Sequence, residues 1–252
     1  FANRLVQLPL ALFGTASAQA SLPLLSEQAA QGNLAAFRAT LLAVLRMVGF
    51  VMLPSTVGLM VLAFPIVGGL FERGAFDHRS TVMTAQALIC YALGLVAYAV
   101  AKVLTGAFYA LRDTRTPVRL AVEAVAVNLL LSLALMWPLQ VNGLALAAAA
   151  ANTLNPLRLT RGLERRLGAP LLQPVVPSLA RQAGASALMG LGCWAAWDAG
   201  LSGCPSWLGL LLVILAGLVG YAVSCRLFRV QELGSVVRWL GNPPLLQPFA
   251  SE

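Results

Sequence analysis

Long apolar runs alternate with short polar segments along this chain. Seven runs stand out, and they cover about residues 5–25, 40–70, 81–111, 117–138, 142–160, 179–201 and 205–228. A helix that crosses the hydrocarbon core of a bilayer needs about 20 apolar residues. Lipid offers the backbone no hydrogen-bond partner, so spanning segments are helices or closed barrels, and these runs are about twice too long for barrel strands. The pattern therefore predicts an all-α, polytopic transmembrane helix bundle of about seven spans.

The composition agrees with a chain that faces lipid. Of the 252 residues, 59% are hydrophobic and 10% are charged, whereas about a quarter of a soluble domain is charged. The formal net charge of +8 would suggest nucleic acid on a soluble protein. Here the basic residues lie between the apolar runs, so membrane topology explains the charge better and no nucleic-acid partner is predicted.

The arginines between the runs predict an orientation. Seven spans leave eight flanking segments on alternating sides, with twelve arginines on one side and Arg4, Arg73 and Arg79 on the other. The twelve are Arg38, Arg112, Arg115, Arg119, Arg158, Arg161, Arg165, Arg166, Arg181, Arg226, Arg229 and Arg238. Cytoplasmic loops carry the excess of Lys and Arg. The start of the chain is therefore expected outside the cytoplasm and its C-terminus inside.

Polar groups inside a membrane are costly, so each is a candidate functional residue. Arg4 lies at the outer end of the first span, where it shares a helical face with Gln7, Ala11, Gly14, Thr15 and Ala18. This face is polar at the top and lined by small residues below. Such a face favours either close helix packing or a water-filled cavity. The alternative for Arg4 is a side chain that reaches the interface by snorkelling.

Two further cations fall within predicted spans. Arg46 lies several residues into the second span, where it could snorkel to the headgroups or face a cavity. Lys102 lies about two thirds along the third span, which favours a buried or cavity position at least as much as snorkelling. We predict Arg4, Gln7, Lys102 and Arg46 as substrate-binding residues. Asn155 is predicted as an interhelical hydrogen-bond partner.

The chain lacks the motifs of several enzyme classes. It contains no Gly-rich P-loop, no H-E-x-x-H and no paired carboxylates within an apolar run. The four cysteines form no C-x-x-C pair, and His78 is the only histidine. We therefore predict no catalytic residues, no metal site and no cofactor.

The two ends of the chain also carry signals. Phe1 opens in the middle of an apolar pattern without an initiator Met, so we expect a fragment of a longer polypeptide. After Phe228, the segment VQELGSVVRWLG has the pattern of a short amphipathic helix at the membrane interface.

Four stretches of the chain are distinctive, and they read FANRLVQLPLALFGTASAQASLPLLS, LRMVGFVMLPSTVGLMVLAFPIVGGLFERGAF, YALGLVAYAVAKVLTGAFYALRDTRTPVR and NGLALAAAAANTLN. Together they resemble the MurJ (MviN) lipid II flippase family, within the multidrug/oligosaccharidyl-lipid/polysaccharide exporters. They occur in the family's order and cover about residues 1–165, while the last two spans follow by position only. Because full-length members have two lobes and fourteen helices, the resemblance implies that 1–165 are five spans of the second lobe. Residues 166–252 would be the last two helices and a cytoplasmic tail.

The resemblance implies a transporter, not an enzyme, in the bacterial inner membrane. Its substrate would be lipid II, moved from the inner to the outer leaflet by alternating access, with membrane lipids and the N-terminal lobe of the same protein as partners. Arg4, in FANRL, would line an arginine-rich cavity, although Asn3 stands where many relatives carry an acidic residue. The sixth and seventh spans would form a groove for the lipid tail. The alternatives are an exporter of another polyprenyl-linked oligosaccharide or of drugs, and a non-transporting cell-wall scaffold.

Overall fold

The computed structural model describes residues 2–71, 77–198, 206–230 and 232–234, and the regular structure within these ranges is helical throughout. The helices are α1 (Ala2–Pro9), α2 (Ala16–Ala30), α3 (Leu34–Val61), α4 (Ala63–Phe71), α5 (His78–Leu93), α6 (Leu95–Ala110), α7 (Arg115–Leu167), α8 (Leu172–Asp198) and α9 (Ser206–Leu227). A π-helix, Leu10–Thr15, joins α1 to α2. The prediction of an all-α bundle is confirmed. Most of the predicted interfacial tail lies outside the described residues.

Several helices are long and apolar enough to cross a membrane. In the described residues these are Ala2–Ala30, Leu34–Val61, Arg115–Trp137 and Leu208–Leu227. The pair α5 and α6, bent by 41°, would make a fifth span. These five match the first, second, fourth, seventh and third predicted runs. The fifth and sixth predicted runs are also helical, in the second part of α7 and in α8, so the count of seven stays a prediction.

Helix α7 folds back on itself. Its Arg158 Nη1 lies 2.6 Å from Glu123 Oε2, although the two residues are 35 positions apart. A straight helix would separate them by about 50 Å. A Cβ added to Gly143 would meet the carbonyl of Leu135, so the reversal lies between these two residues. The two arms of α7 are thus antiparallel, as expected for the separate fourth and fifth predicted runs.

Helix α9 is pinned to α3 where Pro54 interrupts the hydrogen bonds of α3. Proline has no N–H, so the carbonyl of Phe50, four residues earlier, lacks its helical partner. The buried hydroxyl of Tyr221 in α9 donates to that carbonyl at 2.7 Å. The rings of Phe50 and Tyr221 also pack with their centroids 5.3 Å apart. The Tyr221 side chain thus satisfies the backbone carbonyl that Pro54 leaves without a helical partner.

Replacing Tyr221 with phenylalanine is expected to lower the free energy of unfolding by roughly 1–2 kcal/mol, because the Phe50 carbonyl would stay buried without a donor. Thermal unfolding of the purified protein in detergent would show this as a lower Tm. Tyr109→Phe is the matched control, since that side chain is exposed. Equal Tm values for Tyr221→Phe and the unaltered protein would contradict this role of the hydroxyl.

Polar contacts gather at one end of the bundle. Arg38 Nη2 donates to the carbonyl of Pro170 at 2.7 Å, and Arg166 Nη2 pairs with Asp113 Oδ2 at 2.6 Å. These contacts join the start of α3, the turn before α7, the end of α7 and the start of α8. Each segment belongs to the side that the arginine count assigns to the cytoplasm. Helix α1 instead packs on α5, toward the opposite end.

Asp113 organises the turn between α6 and α7. Its Oδ1 accepts hydrogen bonds from the backbone N–H groups of Arg115 and Thr116, both at 3.1 Å. Hydrogen bonding by Thr116, foremost that of its side chain, together with the Arg166 charge, holds the pKa of this carboxyl below its usual range. A lowered folded-state pKa means that the ionised group stabilises the fold above its ordinary pKa. That contribution is lost only as the pH falls through the lowered value.

Candidate functional site

A cavity of about 380 Å³ opens between α2, α6 and the second arm of α7, and it is called the polar cavity below because seven of its eleven lining side chains carry a polar group. Its wall consists of Thr15, Ala18, Gln19, Leu22, Tyr98, Ala101, Lys102, Thr105, Gly106, Tyr109 and Asn155. Lys102 is the one charged residue in this wall, and none of the lining residues is acidic. The cavity therefore has a positive lining, which suits an anionic ligand.

Lys102 lies in the cavity wall, as one of the two readings of the sequence anticipated. Its side chain is partly exposed, and its ammonium lies 5.6 Å from the centroid of the Tyr98 ring. A cation over an aromatic face is attracted by the ring quadrupole. The ring thus orients the ammonium, while the charge remains available to an incoming anion.

Asn155 adds a second polar group to the same wall. Its Oδ1 atom is buried and makes no hydrogen bond within the described residues. Buried polar atoms are nearly always paired, so an unpaired acceptor in a cavity wall points to a water or ligand donor. Sequence reasoning treated Asn155 as interhelical glue and missed Gln19. Their only sequence signal is a polar residue within an apolar run.

Arg4 and Gln7 lie on α1, and both are exposed. Neither belongs to the wall of the Lys102 cavity. The predicted face does not stay on one side of the helix. Gly14 is buried against α6, where an added Cβ would lie 3.3 Å from the Cβ of Ala99, whereas Arg4 and Gln7 are exposed. The π-helix widens the turn at this point and changes which residues face outward. Arg4 and Gln7 are thus exposed at the start of the first span, whereas residues 15–22, later in the same span, contribute to the cavity wall.

Arg46 lies elsewhere, on the seam between α3 and α8. Its Nη2 donates to the carbonyl of Pro174 at 2.8 Å, and it lines a separate pocket of about 110 Å³. The four predicted site residues therefore do not converge on one cavity. Lys102 lies in the polar cavity, Arg46 in the smaller pocket, and Arg4 and Gln7 on the exposed face of α1.

An apolar groove of about 460 Å³ runs between the first span, α3, α8 and α9. Its wall includes Pro9, Phe13, Phe50, Val51, Pro54, Gly58, Leu59, Leu62, Ile66, Met189, Cys193, Ile214, Leu218 and Tyr221. Ser55 also lies there, but its hydroxyl donates to the carbonyl of Val51 at 2.8 Å. The groove thus presents an almost wholly apolar surface, and α8 and α9 correspond to the sixth and seventh predicted spans.

Long apolar helices, together with a positively lined cavity and an apolar groove on one bundle, define an integral membrane protein. The family described as "Lipid II flippase MurJ" matches residues 1–199. The chain belongs to this family.

Several similar proteins carry the name of the same family. A probable lipid II flippase MurJ of Vibrio cholerae is 34% identical over 239 residues, which is 93% of this chain and 45% of that protein. The Rhizobium meliloti relative, also named a probable lipid II flippase MurJ, is 39% identical over 159 residues, covering 63% of this chain and 30% of its own length. The lipid II flippase MurJ of Burkholderia cenocepacia is 34% identical over 166 residues, with 66% and 32% covered. The chain thus spans less than half the length of these relatives.

A solved structure shares the fold. It is described as "Lipid II flippase MurJ, inward closed conformation", and it superposes with a TM-score of 0.75 at 24% sequence identity. The match covers 92% of this chain and 46% of the solved chain. The helical arrangement is therefore that of about half of this larger chain.

Proposed function

We propose that the full-length protein containing this chain moves lipid II from the inner to the outer leaflet of the bacterial inner membrane. Residues 1–165 would form most of the second lobe, and residues 166–252 the last two helices and a cytoplasmic tail. The observation that carries this proposal is the positively lined cavity around Lys102 beside an apolar groove. Membership of the flippase family supports it.

The chemistry of the two surfaces suits the two parts of such a lipid. A pyrophosphate would face a prohibitive desolvation cost in bare hydrocarbon. A cationic cavity reduces that cost, because the ammonium of Lys102 in its wall can donate charge-assisted hydrogen bonds to phosphate oxygens. The guanidinium of Arg4, which is exposed on α1 outside this cavity, can donate such bonds at a separate position. The prenyl tail can remain in the apolar groove or in lipid. Movement of this lobe against the N-terminal lobe would then expose the cavity to each side in turn.

The contacts at one end of the bundle support the orientation that the arginines predict. The segments around Arg38, Asp113, Arg166 and Pro170 meet at that end. We propose that this end faces the cytoplasm, so that Arg4 lies toward the periplasm. In this orientation Arg4 would receive the headgroup near the release side of the membrane.

The rival functions make different demands on the cavity. A cationic-drug exporter would use carboxylates, and the wall of the Lys102 cavity contains none. A non-transporting scaffold would need no such cavity. Reconstitution of the full-length protein into vesicles that carry lipid II in one leaflet separates these functions. Appearance of lipid II in the opposite leaflet, faster than in protein-free vesicles, is the expected result, and equal rates would overturn the proposal.

In the same vesicles, Arg4→Ala is expected to slow lipid II translocation roughly tenfold, the usual effect of losing one charge-assisted hydrogen bond. The matched control is Arg79→Ala, which removes an exposed arginine assigned to the same side of the membrane. A rate for Arg4→Ala equal to that of Arg79→Ala would contradict a substrate contact at Arg4.

A further inference from the structure

The small pocket that contains Arg46 is a built polar site outside the Lys102 cavity. It has a volume of about 110 Å³, enough for a few water molecules or one small polar group. Two cations, Arg46 from α3 and Arg181 from α8, line it together with Ser178 and Glu232. Three chain segments therefore meet around this pocket, since Glu232 follows α9.

Hydrogen bonds hold part of this site in place. Gln182, which is fully buried, donates to the carbonyl of Arg46 at 3.1 Å and to Ser178 Oγ at 3.2 Å. Ser178 in turn donates to Glu232 Oε1 at 2.6 Å. The start of α8 is thereby fixed to α3 and to the segment after α9.

Two polar atoms of this pocket remain unsatisfied. Arg46 Nε, a donor, and Glu232 Oε2, an acceptor, are both buried without a hydrogen-bond partner in the described part of the chain. Each unpaired buried group carries a desolvation penalty. An unpaired guanidinium N–H and a nearby exposed Arg181 offer donors to an anion of small size.

The pocket continues the seam that forms the apolar groove. On α3, Arg46 lies about one helical turn from Phe50, which lines the groove. On α8, Arg181 precedes the groove residue Met189 by about two turns. The hydrogen bond between Tyr221 and Phe50 marks the boundary between the apolar and the polar part. A basic pocket therefore follows the apolar groove along α3 and α8, at the end where the arginines gather.

We propose that this pocket binds one phosphate group of a polyprenyl pyrophosphate lipid whose tail lies in the apolar groove. The proposal rests on the proposed function and adds a docking subsite at the entry leaflet, distinct from the Lys102 cavity. An apolar chain and an anionic head on one molecule match an apolar groove and a separate basic pocket that lie one after the other along α3 and α8. Guanidinium groups suit this task, since their forked donors fit phosphate oxygens.

Glu232 adds a negative charge to the pocket wall that contains the two arginines. The hydrogen bond from Ser178 to Glu232 Oε1 holds this carboxylate in the wall. A phosphate that enters would meet like-charge repulsion from Glu232 and attraction from Arg46 and Arg181. Opposite effects on affinity are therefore expected when the acid and the base are neutralised.

The test measures lipid binding to the full-length protein in nanodiscs, in a Lys102→Glu background that weakens the headgroup site of the polar cavity. The probes are undecaprenyl pyrophosphate and uncharged undecaprenol. Arg181→Gln is expected to weaken binding of the pyrophosphate roughly tenfold and to leave undecaprenol unchanged. Glu232→Gln is expected to strengthen pyrophosphate binding roughly threefold, since it removes one repulsive charge. Arg226→Gln, which removes an exposed arginine at the same end of the bundle, is the matched control.

Three results would overturn the subsite. The first is an equal change in undecaprenyl pyrophosphate binding for Arg181→Gln and Arg226→Gln. The second is a loss of undecaprenol binding in Arg181→Gln as large as its loss of pyrophosphate binding, which would indicate a structural role of Arg181. The third is competition by phosphatidylglycerol as strong as that by undecaprenyl pyrophosphate, which would assign the pocket to bulk phospholipid. Translocation of lipid II by the unaltered protein is measured in parallel. If translocation occurs while Arg181→Gln has no effect on binding, the subsite fails and the proposed function stands. If no translocation occurs, the proposed function fails.

Discussion

Replacing Lys102 with glutamate is expected to lower the rate of lipid II translocation roughly a hundredfold. The change removes the one charge of the cavity wall and places a like charge against the pyrophosphate. A lost charge-assisted hydrogen bond is worth about 1.5–3 kcal/mol, and repulsion adds to that. Because about 1.4 kcal/mol corresponds to a factor of ten, the two effects reach this size. The measurement is lipid II translocation in vesicles that contain the full-length protein.

Two further variants test whether the loss of transport is specific to the charge at Lys102. Lys102→Arg keeps the charge and is expected to retain most of the rate. Arg226→Glu reverses a charge on an exposed side chain of α9 that does not line the cavity, and it is expected to leave the rate nearly unchanged. Similar losses in Lys102→Glu and Arg226→Glu would show that net charge, rather than the cavity, controls transport.

Replacing Gly58 with phenylalanine is expected to lower translocation roughly tenfold by filling the apolar groove. Gly58 lines the groove, and a Cβ there would meet only the Met189 methyl carbon, at 3.9 Å. The phenyl ring can therefore enter the groove without displacing backbone. It would exclude at least about two methylene groups of a lipid chain, each worth about 0.8 kcal/mol when buried.

Gly220→Phe is the matched control for the groove. Gly220 lies on α9 with open space around its Cβ position, and it does not line the groove. The same helix-propensity change therefore occurs without a ring in the groove, and transport should remain near that of the unaltered protein. Equal rates for the two variants, with equal amounts of folded protein, would exclude a role of the groove in binding the tail.

The polar cavity shows how far sequence reasoning could reach. A buried or cavity position for Lys102 could be anticipated as one of two possibilities, because a cation two thirds along an apolar run cannot easily reach either interface. Asn155 could not be assigned to the same wall, since an asparagine in a membrane helix can equally bond a neighbouring helix. Its place beside Lys102 depends on how the second arm of α7 packs on α6. No local pattern in the sequence encodes that packing.

The position of Arg46 also could not be predicted from the sequence. Its position within an apolar run marked it as a candidate site residue along with Lys102. The structure separates the two, because Arg46 points toward the start of α8 and bonds the carbonyl of Pro174. The carbonyl acceptor is 128 residues away along the chain. Only the tertiary fold brings such an acceptor into reach.

The sequence by itself determined the helical structure of the apolar runs and the reversal within α7, and it predicts which arginines share a side of the membrane. These features are local, since a backbone in lipid must satisfy its hydrogen bonds within its own helix and each loop carries its own charges. The tertiary structure alone decided which polar groups share a cavity, which carbonyl Tyr221 satisfies and where the groove runs. Those outcomes depend on side-chain packing between helices far apart in the chain. An apolar run specifies a helix, but it does not specify which other helices will pack against that helix.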